Sequence, residues 1–366
     1  MRKIGLLGGS FDPIHDGHLL IAKTAYKKLK LDELWFIPVL NNPFKDRKMA
    51  ANQDRVAMLE LALKKYPYFK VNDIELHGNP NEKSYTYNTL VKLKEQYPDV
   101  KFYYLIGDDQ VAKFDQWYKA EKISQMVKLI AMARGGYELH YANQKKYHMK
   151  RITYRPLKVS SSAIREGHLK YLNPKVLEYM TLHGLYLDTI VASFMSEKRY
   201  QHTISMASLA VEIAQANHLD TTKVYVAGIL HDIAKEMEPK KARKLMKKHY
   251  PKHLAKPPAV WHQWLSSYLA KKKFHIHDKE ILQAIENHTT ASCNMSLLDM
   301  CIYVADKYDR YRGFDSEAQI TLCKQDLQVG FTACLVDFYQ FSQAKKRPID
   351  PVFYEVYKKY KERVHE

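Results

Sequence analysis

IGLLGGSFDPIHDGH, residues 4–18, opens on a short apolar run that ends in two glycines. An apolar run closed by glycine suits a buried parallel strand and the turn that follows it. Gly8 and Gly9 stand where the backbone must turn sharply and pass close to a phosphate. His15 and His18 then fall at the start of the next pattern, HLLIAKTAYKKLK, which has helical spacing and a basic end. A helix start presents free amide donors and the positive end of the dipole, so it attracts phosphate. A lone histidine at such a place is ordinarily a structural hydrogen-bonding group. Two of them, locked to a Gly-Gly-Ser-Phe-Asp-Pro turn, predict contact with one triphosphate.

Outward from this stretch the alternation repeats. ELWFIPVL reads as a strand, DRVAMLELALKKY as a helix and FKVNDIEL as a strand. YNTLVKLKEQYP reads as a helix, then KFYYLIGDD and VKLIAMARGG as strands. Strand–helix alternation predicts a parallel sheet covered by helices on both faces. After about residue 188 the pattern changes. TISMASLAVEIAQANH, TKVYVAGILHDIAK, AVWHQWLSSYLAKKK, DKEILQAIENH and SLLDMCIYVADKYDR all carry helical periodicity with no convincing strand between them. We therefore expect an α/β domain over 1–188, an all-α domain over 189–340, and a basic, Tyr-rich tail over 341–366. The tail should be helical after Pro348 and Pro351.

A length of 366 residues suits two domains. Hydrophobic residues at 46% and charged residues at 27% are ordinary for a globular chain, so no disulfide scaffold is needed. Cys293, Cys301, Cys323 and Cys334 form no CxxC pair, and the default expectation is reduced thiols in a cytoplasmic protein. Residues 1–30 show no signal-peptide core, and no apolar stretch is long enough for a membrane span. The net charge is +18, with 31 basic and 20 acidic residues up to position 188 and 27 and 20 beyond it. The surplus is thus no single basic arm, and no RNA-binding signature accompanies it. Attraction of anionic small substrates is a sufficient use for it, and nucleic-acid binding ranks behind. A homo-oligomer is left open.

GSFDPIHDGH strongly resembles the HxGH motif of the nucleotidyltransferase superfamily, and VSSSAIREG, residues 159–167, looks like that family's ISSTxIR motif. Taken alone, a serine-rich turn is usually a helix cap; the pairing gives it another meaning. IPVLNNPFK, RVAMLELAL, SYTYNTLVKL, YYLIGDDQVAKFDQWY and MARGG resemble, in this order, segments of bacterial nicotinate mononucleotide adenylyltransferases. The resemblance covers nearly all of 1–188 and implies a Rossmann-like nucleotidyltransferase domain. It implies that ATP, arriving with Mg²⁺, gives AMP to nicotinate mononucleotide. Gly8, Gly9, Ser10, Phe11, Gly107, Asp109, Ser161 and Ser162 would line the nucleotide site. His15, His18, Lys45 and Arg165 would act on the phosphates. Thr86, Trp117 and Tyr118 would hold the pyridine carboxylate, with Arg134 beside the dinucleotide. The chain departs from the family at Phe44, where histidine usually precedes the lysine.

In the helical half, His202, the pair His231–Asp232, His262, His288 and Asp306 each fall in a helix or at its end. Histidines and carboxylates on facing helices can enclose a metal pair. His262 alone, between Trp261 and Trp264, would more often be a core or surface histidine. YQHTISMASLA, AGILHDIAKE, AIENHTTASCNMSLLDM and YVADKYDRYR resemble the signature of HD-superfamily metal phosphohydrolases, nearest the bacterial branch that splits diadenosine tetraphosphate into two ADP. The likeness covers about 190–335. It implies His202, His231, Asp232 and Asp306 on one metal, and His262 and His288 on a second bridged by Asp232. Iron or manganese is favoured by such ligands. Lys235 and Arg310 would meet the phosphates of a dinucleoside polyphosphate. Ala291 stands where the family usually has glycine.

Two alternatives stand beside this reading. The helical half could sense a nucleotide without turnover, and the acceptor could be nicotinamide mononucleotide. Phosphopantetheine as acceptor is disfavoured by the SYTYNTL and DQWY segments.

Overall fold

The computed structural model describes residues 1–40, 49–78, 84–134 and 141–362. The chain divides into two compact units: 1–164 with 168–176, and 165–167 with 177–366.

In the first unit, strands β1 (Arg2–Gly9), β2 (Glu33–Pro38), β3 (Phe69–Val71), β4 (Val100–Gly107), β5 (Lys128–Arg134) and β6 (Lys150–Tyr154) form a parallel sheet in the order β3-β2-β1-β4-β5-β6. Helices α1 (Asp16–Leu29), α2 (Asn52–Leu63), α3 (Thr86–Gln96), α4 (Asp108–Val111), α5 (Ala120–Met126), α6 (Tyr141–Lys146) and α7 (Ser161–Arg165) connect or follow the strands. The central strands are apolar because both faces are covered: Ile4, Leu6, Phe36 and Phe102 are all essentially buried. Burying each such side chain contributes about 1.5–3 kcal/mol. That outweighs a helix cap at about 1 kcal/mol. The chain leaves β1 toward β2 on one side and returns as β4 on the other. The crevice outside the carboxyl ends of β1 and β4 is therefore a topological switch point, where open α/β sheets take their ligands.

Two expectations change here. FKVNDIEL supplies only the short strand β3 before a turn. Strand β6 was not expected, because KRITY has one buried residue, Ile152, among polar neighbours at a sheet edge. Edge strands need only a thin apolar signal.

The second unit is helical among its described residues. It contains α8 (Pro174–Leu182, whose first residues belong to the first unit), α9 (Leu187–Ala192), α10 (Glu197–Ala216), α11 (Thr221–Leu230), α12 (Pro239–His249), α13 (His262–Lys273), α14 (Lys279–Asn287), α15 (Leu297–Tyr308), α16 (Glu317–Gln325), α17 (Leu327–Ala344) and α18 (Pro351–Glu362). Helices α10 and α11 approach closely at Gly228, where a Cβ would lie 3.1 Å from the Ala207 Cα. Residues 341–366, expected as a separate tail, include α18, which buries Phe353, Val356 and Tyr360. The Tyr360 hydroxyl accepts the Met295 N–H at 2.9 Å, and its ring meets Phe331 edge-on. No helix among the described residues is long and apolar enough to cross a membrane.

Candidate functional site

The first site is built by a helix cap. His15 is the N-cap of α1, and its Nδ1 accepts the Gly17 N–H at 3.2 Å. The His18 Nδ1 accepts the His15 N–H at 3.3 Å, closing a reciprocal capping box. The two rings stack with centroids 3.8 Å apart. With both Nδ1 atoms accepting, the neutral rings carry their protons on Nε2 and so present N–H donors rather than lone pairs there. Burial pulls the His15 pKa down to about 4, so that ring is neutral at pH 7. Gly17 is required because a Cβ there would sit 2.9 Å from the His15 ring and 3.0 Å from Val159.

The turn before the cap is held from several sides. Phe11 is buried with φ 48° and packs edge-on against His18. Arg55 of α2, fully buried, donates to Ser10 O, Val39 O and Asn52 Oδ1 at 2.6–2.8 Å. It is a positioning residue that the sequence reading passed over, although a lone arginine on the apolar side of RVAMLELAL is a signal. Ser161 Oγ donates to Pro13 O at 2.9 Å, so the second motif meets the first directly. Ser162 Oγ instead pairs with Ser160 Oγ at 3.0 Å, and Ser160 caps the turn through the Ala163 N–H.

At Gly8 a Cβ would lie 2.8 Å from the Tyr104 hydroxyl, which in turn lies 3.4 Å from Thr86 Oγ1. Trp117 meets Tyr104 edge-on at 6.1 Å, so Thr86 and Trp117 gather beside the end of β1. Tyr118 is half exposed, beside Tyr85 and Tyr87. Gly107 caps α4, and a Cβ there would meet Asp109 at 2.9 Å. Arg165 ends α7, falls in the second unit, and lies over the Tyr186 ring. Lys45, with Phe44, lies outside the described residues, as does the side chain of Arg134.

The second site gathers distant segments. Helix α11 is apolar on nearly all sides, so it runs through the core and delivers His231 and Asp232 at its end, both buried. His202 comes from α10, His262 from the start of α13, His288 from the end of α14, and Asp306 from α15. Three of the rings are oriented by carbonyls three residues upstream. His231 Nδ1 bonds Gly228 O at 2.6 Å, His262 Nδ1 bonds Ala259 O at 2.9 Å, and His288 Nδ1 bonds Ile285 O at 2.7 Å. His202 Nδ1 bonds the buried Asp309 at 2.7 Å, a partner the sequence reading missed. These bonds place each ring proton on Nδ1 and turn the Nε2 lone pairs inward, as metal-ligand histidines require.

Asp232 stands between two histidine pairs. Its Oδ2 lies 3.4 Å from His231 Nε2 and 3.9 Å from His202 Nε2. Its Oδ1 lies 3.3 Å from His262 Nε2 and 3.7 Å from His288 Nε2. Asp306 Oδ1 lies 3.3 Å from His202 Nε2. His202 Nε2, His231 Nε2 and Asp232 Oδ1 are buried and make no hydrogen bond. The Nε2 atoms of His262 and His288 face each other at 3.1 Å, close enough to share one cation. Thr289 Oγ1 reaches both, at 3.0 and 2.9 Å, but has one proton to give. The donor set therefore fits two metal ions sharing Asp232.

Electrostatics agree. Burial works against charge on Asp232, but His231 and its neighbours hold it well below the usual carboxylate range. Asp306 is held down likewise by Lys307, His202 and Arg312. Burial pulls His262 down to about 2 and lowers His288, leaving both rings neutral as ligands must be. Lys235 reaches His262, with Nζ 3.1 Å from Nε2. Arg310, expected at a substrate phosphate, is not brought to the cluster by any hydrogen bond; its guanidinium is committed to Glu212 and Glu317. Ala291 adopts φ 56°, the left-handed conformation that explains why glycine suits this position.

A parallel sheet with a histidine-capped helix start at its switch point, followed by a buried His/Asp centre, defines a nucleotidyltransferase joined to an HD-type domain. Residues 6–167 match the cytidylyltransferase-like family and residues 199–311 match the HD domain. A Mycoplasma pneumoniae protein named "Probable nicotinate-nucleotide adenylyltransferase/Ap4A hydrolase" is 32% identical over 342 residues, covering 90% of this chain and 97% of that one. A Bacillus mycoides "Probable nicotinate-nucleotide adenylyltransferase" is 42% identical over 195 residues, 51% of this chain and 99% of that one. A solved Plasmodium falciparum nicotinic acid mononucleotide adenylyltransferase complexed with NaAD is 22% identical with a TM-score of 0.45, covering 51% of this chain and 98% of that one. The chain belongs to the family of fused nicotinate-nucleotide adenylyltransferase/Ap4A hydrolase proteins.

Proposed function

We propose that the chain carries two activities. The N-terminal half transfers AMP from ATP to nicotinate mononucleotide, giving deamido-NAD and pyrophosphate. The 5′-phosphate of the mononucleotide attacks the α-phosphorus, and that P–O bond forms as the bond to pyrophosphate breaks. Catalysis is then in-line positioning and neutralisation of developing charge. His18 donates from Nε2 to the α-phosphate. His15, Lys45 and Arg165 hold the leaving phosphates, and Mg²⁺ arrives with ATP. Thr86, Trp117 and Tyr118 receive the pyridine carboxylate, with Arg134 by the dinucleotide. The capping box, which turns both imidazoles by their Nδ1 atoms at the helix start of the switch point, supports these roles.

The C-terminal half hydrolyses diadenosine tetraphosphate or a related dinucleoside polyphosphate. His202, His231, Asp232 and Asp306 would hold one divalent ion, and Asp232, His262 and His288 a second, iron or manganese. When bound, such a pair supplies an activated water and Lewis-acid polarisation of the phosphoryl oxygen. The chain's own part is to orient each imidazole through its Nδ1 so that Nε2 faces inward, keep both carboxylates ionised, and set Lys235 beside the centre. The observation that carries the reading is the division of Asp232 between two histidine pairs.

Product analysis tests both halves. The parent, His18→Ala and Asp232→Ala would each receive ATP with nicotinate or nicotinamide mononucleotide, then diadenosine tetraphosphate with Mn²⁺ or Fe²⁺. His18→Ala should lose dinucleotide synthesis alone, and Asp232→Ala should lose formation of two ADP alone. Loss of both activities in either variant would contradict two independent sites. A metal-loaded parent that binds diadenosine tetraphosphate but never splits it would make the helical half a sensor.

A further inference from the structure

Three basic side chains, Arg199, Arg312 and Lys307, press on Asp232 and Asp306 of the His/Asp centre. Arg199 Nη1 donates to Asp232 Oδ2 at 2.7 Å. Arg312 donates from Nη2 to Asp306 Oδ1 and from Nε to the Asp306 carbonyl, both at 2.7 Å. Lys307 Nζ meets Asp306 Oδ2 at 2.9 Å. Asp309 is a third carboxylate at the centre, with its oxygens on His202 and Ser205. Asp232, Asp306 and Asp309 set three carboxylates against these three cations, and Lys235, with Nζ 3.1 Å from His262 Nε2, is the further basic group that tips the balance to positive before any divalent ion is counted. A site with that surplus suits a ligand of several negative charges better than a monoester.

The two arginines stand at the boundary of the centre. The Asp232 and Asp306 side chains are 3% and 9% exposed, whereas Arg199 is 28% and Arg312 40% exposed. Each guanidinium thus has an inner edge on a buried carboxylate and an outer part toward solvent. Arg199 is also incompletely satisfied, because its Nε is buried and makes no hydrogen bond. A buried guanidinium N–H without an acceptor points to an acceptor that belongs to a ligand. The planar fork of arginine suits phosphate oxygens two at a time, which a lysine cannot match. Neutralisation of Asp232 and Asp306 by divalent ions would loosen their hold on both forks and free donors for phosphate.

We propose that Arg199 and Arg312 form the clamp for the substrate's polyphosphate bridge, and that Arg310 does not. This rests on the hydrolytic reading of the centre. Arg199 lies three residues before His202 on α10, so one helix turn presents a metal ligand and a phosphate ligand together. Arg312 follows Asp306 through the turn after α15 and ties back to it. The ligand class is a chain of at least two phosphates.

The test is calorimetric titration of the Mn²⁺-loaded full chain with inorganic pyrophosphate. The parent should show two binding events, one at each site, and the N-terminal event serves as the internal reference. Arg199→Met and Arg312→Met should each weaken the other event on the order of 10- to 100-fold, and the double variant should lose it. The KM for diadenosine tetraphosphate should rise by the same factor while kcat changes less. Bound Mn²⁺, counted by atomic emission, should equal that of the parent. Unchanged pyrophosphate binding in the double variant would overturn the clamp. So would a larger loss in Arg310→Met, or loss of Mn²⁺ from either single variant, which would make the arginines supports for the metal ligands. A parent that binds pyrophosphate through both arginines yet leaves diadenosine tetraphosphate intact would sink the hydrolytic reading and leave the clamp standing.

Discussion

The helix start at Gly8–His18 and the His/Asp centre of the second unit both present histidine Nε2 atoms, but they prepare them in opposite ways. In the first, Nδ1 accepts a backbone N–H, so Nε2 carries the proton and becomes a donor for anions. In the second, Nδ1 donates to a backbone carbonyl or to Asp309, so Nε2 carries the lone pair and becomes a donor set for cations. For His15, His18, His231 and His288 the helix end explains the contrast. N-termini offer unpaired N–H groups, and C-termini offer unpaired carbonyls. His15 and His18 sit at a helix start, while His231 and His288 are the C-caps of α11 and α14. The same side chain is thus turned toward anions or toward cations by whether its Nδ1 meets an N–H or an oxygen; for His231 and His288 the helix end supplies that oxygen, for His262 the turn before α13, and for His202 Asp309.

The comparison is broken most strongly at Asp232, the one residue that serves both halves of the metal cluster. Asp232→Asn should abolish hydrolysis by at least about 10³-fold, on the scale of removing a group made for the transition state, and should strip bound Mn²⁺ as read by atomic emission. Dinucleotide synthesis should stay at the parent's rate. His18→Ala should lower the adenylyltransferase kcat by on the order of 10²–10³-fold. Its stability loss should be only about 1 kcal/mol, since it removes one side of a capping box. A much larger stability loss, seen in urea melts, would mean that His18 is chiefly structural.

Acid sharpens the contrast further. His15 is held neutral with its pKa lowered to about 4, against 6.5 in an unfolded chain. Between those values the unfolded chain binds more protons than the folded one, so stability falls as pH drops through this window. Taking the first unit from pH 7 to pH 5 should cost roughly 2 kcal/mol from this group. His15→Gln should flatten that slope in paired urea melts, and an unchanged slope would remove His15 as its source. The smallest expected effect is at Ala291. Relieving its left-handed strain with Ala291→Gly should stabilise the helical unit by less than about 1 kcal/mol, measurable as a rise in midpoint with no change in slope.

Much of this was legible in the sequence because some determinants are local. The strand-turn-helix of residues 4–18 carries its whole geometry within one stretch, down to Gly17, whose missing Cβ makes room for the His15 ring and Val159. The periodicities gave most helices and the central strands their places, since buried strands must be apolar on both faces. Strand β6 was hidden because an edge strand has little to bury. The packing of α18 was hidden because a basic, Tyr-rich segment looks the same whether it is solvated or laid on a core.

Side-chain partners at a distance were harder. Arg310 lies closer in sequence to Asp306 than Arg199 does, yet Arg199 reaches the centre and Arg310 pairs with Glu212 and Glu317. Arg55 and Asp309 carry no motif of their own, and only their buried bonds to Ser10 O and His202 Nδ1 reveal them.

By itself, the sequence pointed to an α/β half followed by a helical half and supplied the candidate histidines and carboxylates of each. It also determined the His15–His18 cap, because a helix start is specified by residues three apart. Only the tertiary structure decided which oxygen of Asp232 faces which histidine pair, which arginines reach the carboxylates, and where each ring proton sits. Most of those depend on helices meeting across dozens of residues of chain, and for His202 and Asp309 across more than a hundred. No local rule sets such a meeting; burial of the apolar faces that flank it does.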